Sequence, residues 1–439
     1  EFYGTGGQLS SIPLEFYTLA PCQEWVFFSD RDQLKNSLSD PQALFKAFDT
    51  CPTSCDKAAV FISKGEELKH LSSSKWVSRS GEKSTFPGFM RPSEQTQLIE
   101  RYIESEPSYP WLNSIEQGMI TSEGILLSRY LPSPLMKRLL LSSSVYRCIK
   151  RIYFERPSRD QSDFFTHEDR AMLLDLAKFG IPLYWVDRSQ KRVLRYVPRM
   201  ESESGMFVPL EHVETFLTAT LFGVYGSNLL EGNFEQELRL LLQGVQAMRG
   251  KIDHSLINAP LALVTGGGPG AMAVGNRVAK ELGILSCANI VDFGAKGVVN
   301  EQRQNSYVEA KMTYSLDHLV ERQAEFNLDF PLFLPGGIGT DFEYALEEVR
   351  RKVGSHRCSP VLLFGGAAYW ADKITPRFCS NIKSGTIQGS EWVSNCFYAI
   401  ETAAEGLEIL RRYFCGELPI GKEGPIYDVG FCEAKVLLN

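Results

Sequence analysis

The chain has 439 residues, a length that favours two or three domains. Its 46 basic and 53 acidic side chains give a formal net charge of −7 at pH 7, so nucleic acid and anionic membranes are poor candidate partners. Apolar residues make up 44% and charged residues 23%, which is typical of folded globular proteins and excludes a mainly disordered chain.

Ten cysteines and six histidines are scattered along the chain without a C-x-x-C or H-x-x-x-H pair. Cys51 and Cys55 lie closest together, but no matching pair follows them, so a zinc site is disfavoured. Free thiols in a reducing cytosol explain this cysteine use best. No apolar run approaches the length of about 18 residues that suggests a membrane span. We therefore expect a cytoplasmic protein that binds neither metal nor membrane.

The N-terminal part of the chain alternates short β-rich runs with polar segments that are compatible with helices, as in an α/β domain. Thr166 is placed to cap a helix over residues 171–179, which Gly180 ends. The polar residues 72–94 predict a loop. Strands are predicted at residues 25–28, 58–62, 151–154 and 183–186. No chemical motif is found in this region.

A polar stretch between two prolines, residues 198–209, predicts a boundary between an α/β domain of unknown role (1–205) and a second domain (206–439). Beyond it, predicted strands alternate regularly with predicted helices. The strands are at 220–225, 261–264, 285–291, 331–334 and 361–364, and the helices at 234–248, 271–282, 316–326 and 342–353. This alternation favours right-handed βαβ crossovers and therefore a parallel sheet.

The strand at 261–264 runs into a glycine-rich turn, residues 265–270 (TGGGPG), which a helix follows. In a parallel sheet such turns lie at the carboxyl edge, where ligands bind. Glycine lets the backbone approach a ligand, and the helix offers N–H groups and its positive dipole end to an anion. The turn matches neither the dinucleotide fingerprint nor the P-loop, so a purely structural turn is the alternative.

A second strand-to-helix turn, residues 335–343 (PGGIGTDFE), belongs at the same edge. Thr340 and Glu343 have the spacing of a capping box, which is the structural interpretation of Glu343. A carboxylate beside an anion site would repel the ligand. The presence of Glu343 there therefore indicates a catalytic or ribose-binding role. The apolar stripe of the helix is predicted to pack inward and to leave Glu343, Glu347 and Arg350 on another face. This stripe consists of Phe342, Leu346, Val349 and Val353.

Together, residues 266–272 (GGGPGAM) and 335–343 resemble the LOG ("lonely guy") family, once called lysine decarboxylase-like, whose pattern is G-G-G-x-x-x-M followed by P-G-G-x-G-T-x-x-E. The sequence TGGGPGAM most resembles that of the bacterial nucleotide 5′-monophosphate nucleosidase branch. The resemblance covers about residues 217–412. It implies a Rossmann-like fold, a homodimer or higher homo-oligomer, and hydrolysis of a nucleoside monophosphate to free base and ribose 5-phosphate. It also implies that no metal or organic cofactor takes part.

Carried over by position, the resemblance makes Glu343 the catalytic glutamate and matches Arg322 to the family's arginine on the preceding helix. The implied nucleotide- and phosphate-binding residues are Gly226, Ser227, Gly266, Gly267, Gly268, Gly270, Met272, Gly336, Gly337, Gly339 and Thr340. The chain departs from the family in three places. The spacing from Arg322 to Pro335 is shorter than usual, Gln323 stands where plant-type members carry a lysine, and Phe342 replaces a frequent acidic residue.

Cleavage of an N-glycosidic bond builds positive charge on the ribose, which a nearby carboxylate stabilises in the transition state. Glu343 would also orient or deprotonate the attacking water. In a capping box its ionised form would be favoured by backbone N–H groups. Arg322 would clamp phosphate or ribose with its guanidinium fork.

Two other functions are compatible with these motifs. A nucleotide-binding or regulatory protein would keep the pocket without doing chemistry, and the short Arg322 spacing favours it. A lysine decarboxylase would need pyridoxal phosphate on a reactive lysine, and neither glycine-rich turn carries a lysine.

Overall fold

The computed structural model describes residues 14–18, 25–28, 58–62, 92–104, 106, 109–118, 125–158, 163–187, 190–199, 204–227, 234–291, 304–315, 318–355 and 357–438. The chain divides into two compact units, Glu1–Leu210 and Glu211–Asn439. The described residues of the stretch 198–209, predicted as the boundary, belong to two strands that pair in antiparallel fashion: 198–199 end one strand and 204–209 form the other. Met206, Phe207 and Val208 are buried in this pair, and the flanking prolines and polar residues concealed that strand signal.

The first unit is an α/β domain built on a mixed sheet, as predicted. Its strands are β1 Leu14–Thr18, β2 Trp25–Phe28, β3 Ala58–Ile62, β4 Ile125–Tyr130, β5 Arg151–Arg156, β6 Leu183–Asp187, β7 Arg192–Arg199 and β8 Ser204–Pro209. Its helices are α1 Pro92–Glu104, α2 Tyr109–Glu116, α3 Lys137–Leu140, α4 Ser143–Cys148 and α5 His167–Lys178. The strand order is β2-β1-β3-β4-β5-β6-β7-β8, in which β4, β5 and β6 are parallel and the other pairs antiparallel.

The four strands predicted in this unit are confirmed. Thr166 caps α5 in a capping box with Asp169, and the helix begins at His167. Gly180, with φ +77°, follows the helix. The predicted loop at 72–94 lies outside the described residues except for its last three, which are helical because Pro92 begins α1. Pro at a first helical position is well tolerated because its missing N–H has no partner there.

The second unit is a parallel α/β domain. Its strands are β9 Thr220–Tyr225, β10 Leu261–Thr265, β11 Leu285–Val291, β12 Ala310–Tyr314, β13 Phe330–Phe333, β14 Val361–Phe364, β15 Phe397–Ile400 and β16 Cys432–Glu433. Its helices are α6 Val213–Thr218, α7 Phe234–Met248, α8 Ser255–Asn258, α9 Ala271–Glu281, α10 Leu319–Ala324, α11 Ile338–Val353, α12 Gly366–Ser384, α13 Ala403–Phe414 and α14 Ala434–Leu438. The strands that were predicted from sequence are all present. In the described residues, every helix falls short of the length and apolarity that a bilayer crossing requires.

The strand order of the second unit is β16-β15-β14-β13-β9-β10-β11-β12, with parallel neighbours throughout the described pairs. The chain builds outward from β9 through β10 to β12, then returns to place β13 on the other side of β9 and builds outward again. This reversal makes the fold Rossmann-like. In such sheets the carboxyl ends of the two strands at the reversal leave a crevice, which is the usual ligand position.

Each face of this sheet is covered by helices. Phe222 and Val224 of β9 point to one face, where they pack with apolar residues of α7, α9 and α13. Tyr225 points to the opposite face and contacts the rings of Phe326 and Phe333. Neighbouring residues of β9 face opposite sides of the sheet, and both sides are buried. The sequence of β9 is therefore a continuous apolar run.

The inward face of α11 is not the predicted one. Phe342, Val349 and Val353 are 40%, 53% and 65% exposed, whereas the buried face carries Thr340, Tyr344, Glu347, Arg350 and Arg351. The prediction was wrong because it ranked side chains by hydrophobicity alone. Glu347 pairs with both Arg350 and Arg351, so these charges are compensated within the interior.

Candidate functional site

The turns that follow β9 and β13 contact each other at the crevice. The Ser227 amide donates to the Pro335 carbonyl at 3.3 Å, and the Ala271 amide at the start of α9 donates to the Ser227 carbonyl at 2.9 Å. A Cβ atom at Gly226 would lie 2.8 Å from the Cβ of Ala271, so only glycine allows this approach. The turns after β9, β10 and β13 therefore form one continuous edge.

The first glycine-rich turn is held by side chains from neighbouring elements. The Thr265 hydroxyl accepts from the Gly267 amide at 2.9 Å and donates to the Asn276 side chain at 2.6 Å. The Asn305 amide group donates to the carbonyls of Gly267 and Gly268 at 3.1 and 3.0 Å. Gly267 has φ +75°, a conformation that favours glycine. The turn is thus held in place by hydrogen bonds within the protein. Asn276 and Asn305 were not identified from the sequence, because neither belongs to a recognised motif.

Gly270 joins this turn to α9 with φ +64° and ψ −130°, a backbone conformation that only glycine adopts readily. Glycine is therefore required at position 270 for its backbone conformation.

The second turn presents its backbone to open space. Gly337 and Gly339 are exposed, and a Cβ atom added to either would meet nothing within 4 Å. Gly336 is held from behind by the Tyr369 hydroxyl, 3.0 Å from its amide nitrogen, and by Lys373 Nζ, 2.8 Å from its carbonyl. Because α11 begins at Ile338, the first-turn N–H groups and the positive dipole end face this space, as an anion site requires.

The predicted capping box is wrong. Gly337 is the N-cap of α11 and no side chain caps the helix, so Thr340 lies inside the first turn. The helix starts earlier than predicted, at Ile338, directly after Gly337, whose own backbone (φ −100°, ψ −148°) is not helical. Thr340 instead packs against Gly336, where a Cβ atom would lie 2.0 Å from its hydroxyl oxygen. The Glu343 carboxyl consequently does not bond to the backbone of this turn, and its side chain points toward α10.

Glu343 is held by a chain of side-chain hydrogen bonds. Its Oε1 accepts from Gln323 Nε2 at 2.8 Å, and Gln323 Oε1 accepts from Arg322 Nη1 at 2.8 Å. Arg322 Nε donates to the Asn289 carbonyl at 2.9 Å, at the carboxyl end of β11. Since Arg322 has only donors, the Gln323 amide oxygen must face it and the amide NH₂ must face Glu343. The role of Gln323 as this bridge was not visible in the sequence.

Arg322 also lies directly beneath the first glycine-rich turn. A Cβ atom at Gly266 would be 2.4 Å from Arg322 Nη2 and 2.7 Å from Met272 Sδ, so a side chain at Gly266 would displace both. The guanidinium also packs over the Phe326 ring at 4.9 Å. Arg322 is buried, and its Nε and Nη1 donate to protein acceptors, so it supports Gln323. Its role as a clamp for phosphate or ribose stays a prediction.

The surroundings of Glu343 shift its ionisation. Burial raises the pKa of its carboxyl to about 7, an effect that the nearby Arg322 charge and the Gln323 hydrogen bond partly oppose. Burial also lowers the pKa of Arg322. The expectation that backbone N–H groups favour the ionised form of Glu343 is therefore wrong, because no such bonds form. Near neutral pH the carboxyl exchanges protons readily, as a general acid or base must.

The short helix α10, which carries Arg322 and Gln323, is fixed at its end by α11. Arg350 donates to the carbonyls of Gln323 and Ala324 at 2.7 and 2.6 Å and to that of Phe326 at 2.7 Å. Gln323 and Ala324 are the last two residues of α10, where the regular intrahelical hydrogen bonds end. The buried cation on α11 therefore sets the position of the bridge on α10.

The structure thus brings Glu343, Arg322, Gly266 and Met272 together, and separately joins Ser227 to the Pro335 turn and Thr340 to Gly336. Within the described residues, no group of three or more His, Cys, Asp or Glu side chains is arranged to hold a metal ion.

Comparisons with known proteins give structural likenesses only. No protein-family model matches the chain, and no curated protein matches it. The molybdenum cofactor binding protein from the phototrophic bacterium Rippkaea orientalis matches at 15% identity and a TM-score of 0.27, over 44% of this chain and 97% of that one. The molybdenum cofactor carrier protein from Chlamydomonas reinhardtii matches at 15% identity and a TM-score of 0.28, over 45% and 99%.

DNA processing protein A from Streptococcus pneumoniae matches at 11% identity and a TM-score of 0.29, over 49% of this chain and 65% of that one. These likenesses carry no information on ligand or activity, and the fold assignment rests on the strand order.

Proposed function

We propose that the second unit hydrolyses the N-glycosidic bond of a nucleoside 5′-monophosphate, releasing the free base and ribose 5-phosphate. The observation that carries this proposal is the carboxyl of Glu343, with a pKa raised to about 7, on the same helix whose exposed N-terminus suits a phosphate. The motif resemblance to the LOG family, and to its nucleosidase branch, supports the same reaction.

In the proposed reaction, the ionised Glu343 faces the ribose C1′, where positive charge develops as the bond to the base lengthens. Water attacks C1′ and gives a proton to Glu343 as the C1′–N bond breaks. The protonated carboxyl then returns its proton to the departing base. A pKa near neutrality serves both transfers, and no metal or organic cofactor is required.

The 5′-phosphate is proposed to lie against the exposed backbone of Gly337 and Gly339. The first turn of α11 supplies N–H donors there, while Lys373 stands behind Gly336 as a nearby positive charge. Met272 and the turn at 266–270 would contact the rest of the nucleotide. The ligand class is therefore a nucleoside monophosphate or a related phosphoribosyl compound.

A nucleotide-binding protein without chemistry is the second candidate. The observation in its favour is that the Arg322 Nε and Nη1 donors are bonded to Asn289 and Gln323, which leaves less of the guanidinium for substrate. Such a protein would bind the monophosphate through the α11 turn and release it unchanged.

One experiment separates these functions. Purified wild type and Glu343→Gln are incubated with AMP, GMP, IMP, CMP and UMP, and free base and ribose 5-phosphate are quantified. We expect turnover of at least one nucleotide, reduced roughly 10²- to 10⁴-fold in Glu343→Gln. Glu348→Gln, a change on the same helix at a carboxylate that pairs with Arg377, is the matched control and should remain active.

The outcomes differ for each candidate. Binding by calorimetry without product from either protein would support the binding function, and no binding of any nucleotide would overturn both.

We also propose a homo-oligomer in which the exposed apolar residues of α11 pack against a second copy. They are Ile338, Phe342, Val349 and Val353, with Ile338 90% exposed. The helix carries Asp341, which pairs with Lys373 of the same chain, near its start and Lys352 near its end, and both are exposed. A two-fold axis across the apolar residues would align two antiparallel copies and place Asp341 of each copy near Lys352 of the other.

A cytoplasmic location is proposed as well. The described cysteines are all free thiols, which the reducing cytoplasm would maintain.

A further inference from the structure

Two cysteines of the second unit lie side by side at the amino ends of adjacent parallel strands. Cys358 precedes β14 and Cys396 immediately precedes β15, and these strands pair with Val361 opposite Phe397. The two sulfur atoms are 3.6 Å apart. The two backbone segments are already adjacent, so a disulfide, with its sulfur separation of about 2.05 Å, requires only a small movement of the side chains.

The two thiols differ in their surroundings. Cys396 is fully buried, whereas Cys358 is partly exposed. The hydrogen bond from the Cys396 thiol lowers the pKa of Cys358 to about 7, although burial raises it. The positive charge of Arg351 also lowers this pKa. The pKa of Cys396 is raised by that same bond and by burial. Cys358 is therefore the thiolate nucleophile and Cys396 the neutral partner held beside it.

We propose that Cys358 and Cys396 form a reversible disulfide when the protein meets a hydroperoxide. The Cys358 thiolate attacks the peroxide oxygen, the O–O bond breaks, and with one proton this gives a sulfenic acid and water. The Cys396 sulfur then attacks the Cys358 sulfur, and its proton leaves with the hydroxyl as a second water. The two thiols lose two electrons and two protons, and hydrogen peroxide becomes two molecules of water.

The position of the pair favours this role over a structural one. Arg351 donates to the carbonyl of Ser359, the residue after Cys358, and its positive charge helps to lower the pKa of Cys358. The partly exposed sulfur of Cys358 gives an oxidant access, and the buried Cys396 is protected from other thiols. Disulfides that form and reverse in a reducing compartment are typically redox-sensing. The inference does not depend on the proposed nucleosidase function.

The full-length protein is treated with hydrogen peroxide at pH 7 and digested without reduction, and the peptides are mapped by mass. We expect a Cys358–Cys396 linked peptide with a mass loss of two hydrogens, which dithiothreitol restores. Alkylation of Cys358 before oxidation should be roughly tenfold faster than that of the exposed Cys379, because the lowered pKa of Cys358 makes more of its thiol ionised at this pH.

Variants identify the two roles. In Cys396→Ser, Cys358 should accumulate as a sulfenic acid that dimedone labels, and Cys358→Ser should form no link. Cys379→Ser, a change at an exposed cysteine elsewhere, should behave as wild type. The absence of a linked peptide after peroxide in the wild type, together with equal alkylation rates at Cys358 and Cys379, would overturn the proposal even if a variant fails to fold.

Discussion

At the scale of single residues, Glu343 combines two properties that are rarely found together by accident. Its carboxyl has a pKa raised to about 7 by burial, and it is oriented by an amide whose own direction is set by Arg322. A buried carboxyl costs folding free energy when it ionises, and such a cost is common where a group is needed for function. The sequence identified Glu343, but only the neighbours from α10 define its chemistry.

The activity should depend on pH through Glu343. If the ionised form is the catalyst, kcat/KM rises as the pH increases through about 7 and then levels off. Gln323→Leu removes the hydrogen bond that lowers this pKa, so the midpoint should move to higher pH, which a purely structural role for Gln323 would not produce. Initial rates between pH 5 and 9 measure both profiles. An unchanged midpoint in Gln323→Leu would contradict the bridging role.

The same carboxyl should make stability depend on pH. Its folded-state pKa lies above the ordinary value of 4.5, so ionisation destabilises the fold, with no cost well below pH 4.5 and a cost that grows until about pH 7. Glu343→Gln should therefore be more stable than wild type at pH 8, by about 2 kcal/mol after allowance for partial exposure, and equally stable near pH 4. Urea unfolding at the two pH values tests this. Equal stability at pH 8 would show that burial does not shift the pKa.

At the scale of elements, α11 organises the site from both of its ends. Its N-terminus carries the proposed anion site, while its buried Arg350 holds the end of α10 and thereby Arg322 and Gln323. The sequence located this helix but placed its start too late and assigned its inward face wrongly. Hydrophobic periodicity cannot show that Glu347 pairs with two buried arginines, or that carbonyls of α10 accept further hydrogen bonds from Arg350.

Removing Glu347 should be strongly destabilising. Glu347 is fully buried between Arg350 and Arg351, so Glu347→Ala leaves two buried cations without their carboxylate and should cost about 3–5 kcal/mol. Glu348→Gln, which removes a more exposed pair with Arg377, should cost less than about 1 kcal/mol. Chemical denaturation of both variants gives the comparison. Similar losses in the two would mean that the buried cluster is not the support that its geometry indicates.

At the scale of the whole molecule, the two units differ in how their sequences reveal them. The second unit alternates strands and helices regularly, and this alternation alone predicts its parallel sheet. The first unit has a mixed sheet with antiparallel pairs at both ends, and its sequence shows no comparable regularity.

The exposed apolar residues of α11 predict the oligomeric state. Phe342→Glu with Val349→Glu places charges on the exposed face, where the second copy is proposed to pack, without touching the buried face. We expect wild type to run as a homo-oligomer in size-exclusion chromatography with light scattering, and the double variant as a folded monomer by circular dichroism. A monomeric wild type would contradict the proposed interface. It would not contradict the proposed activity, which the nucleotide panel tests separately.

The sequence by itself determined the α/β class, most strand positions of the second unit and the two glycine-rich turns, because these depend on local periodicity and backbone conformation. It also singled out Glu343 and Arg322. Only the tertiary structure decided what those residues touch. The return of β13 beside β9 makes the crevice, and Gln323 and Arg350 become site components through contacts between distant segments. The ionisation of Glu343 follows from the same packing, since burial is a property of the folded chain and not of any motif.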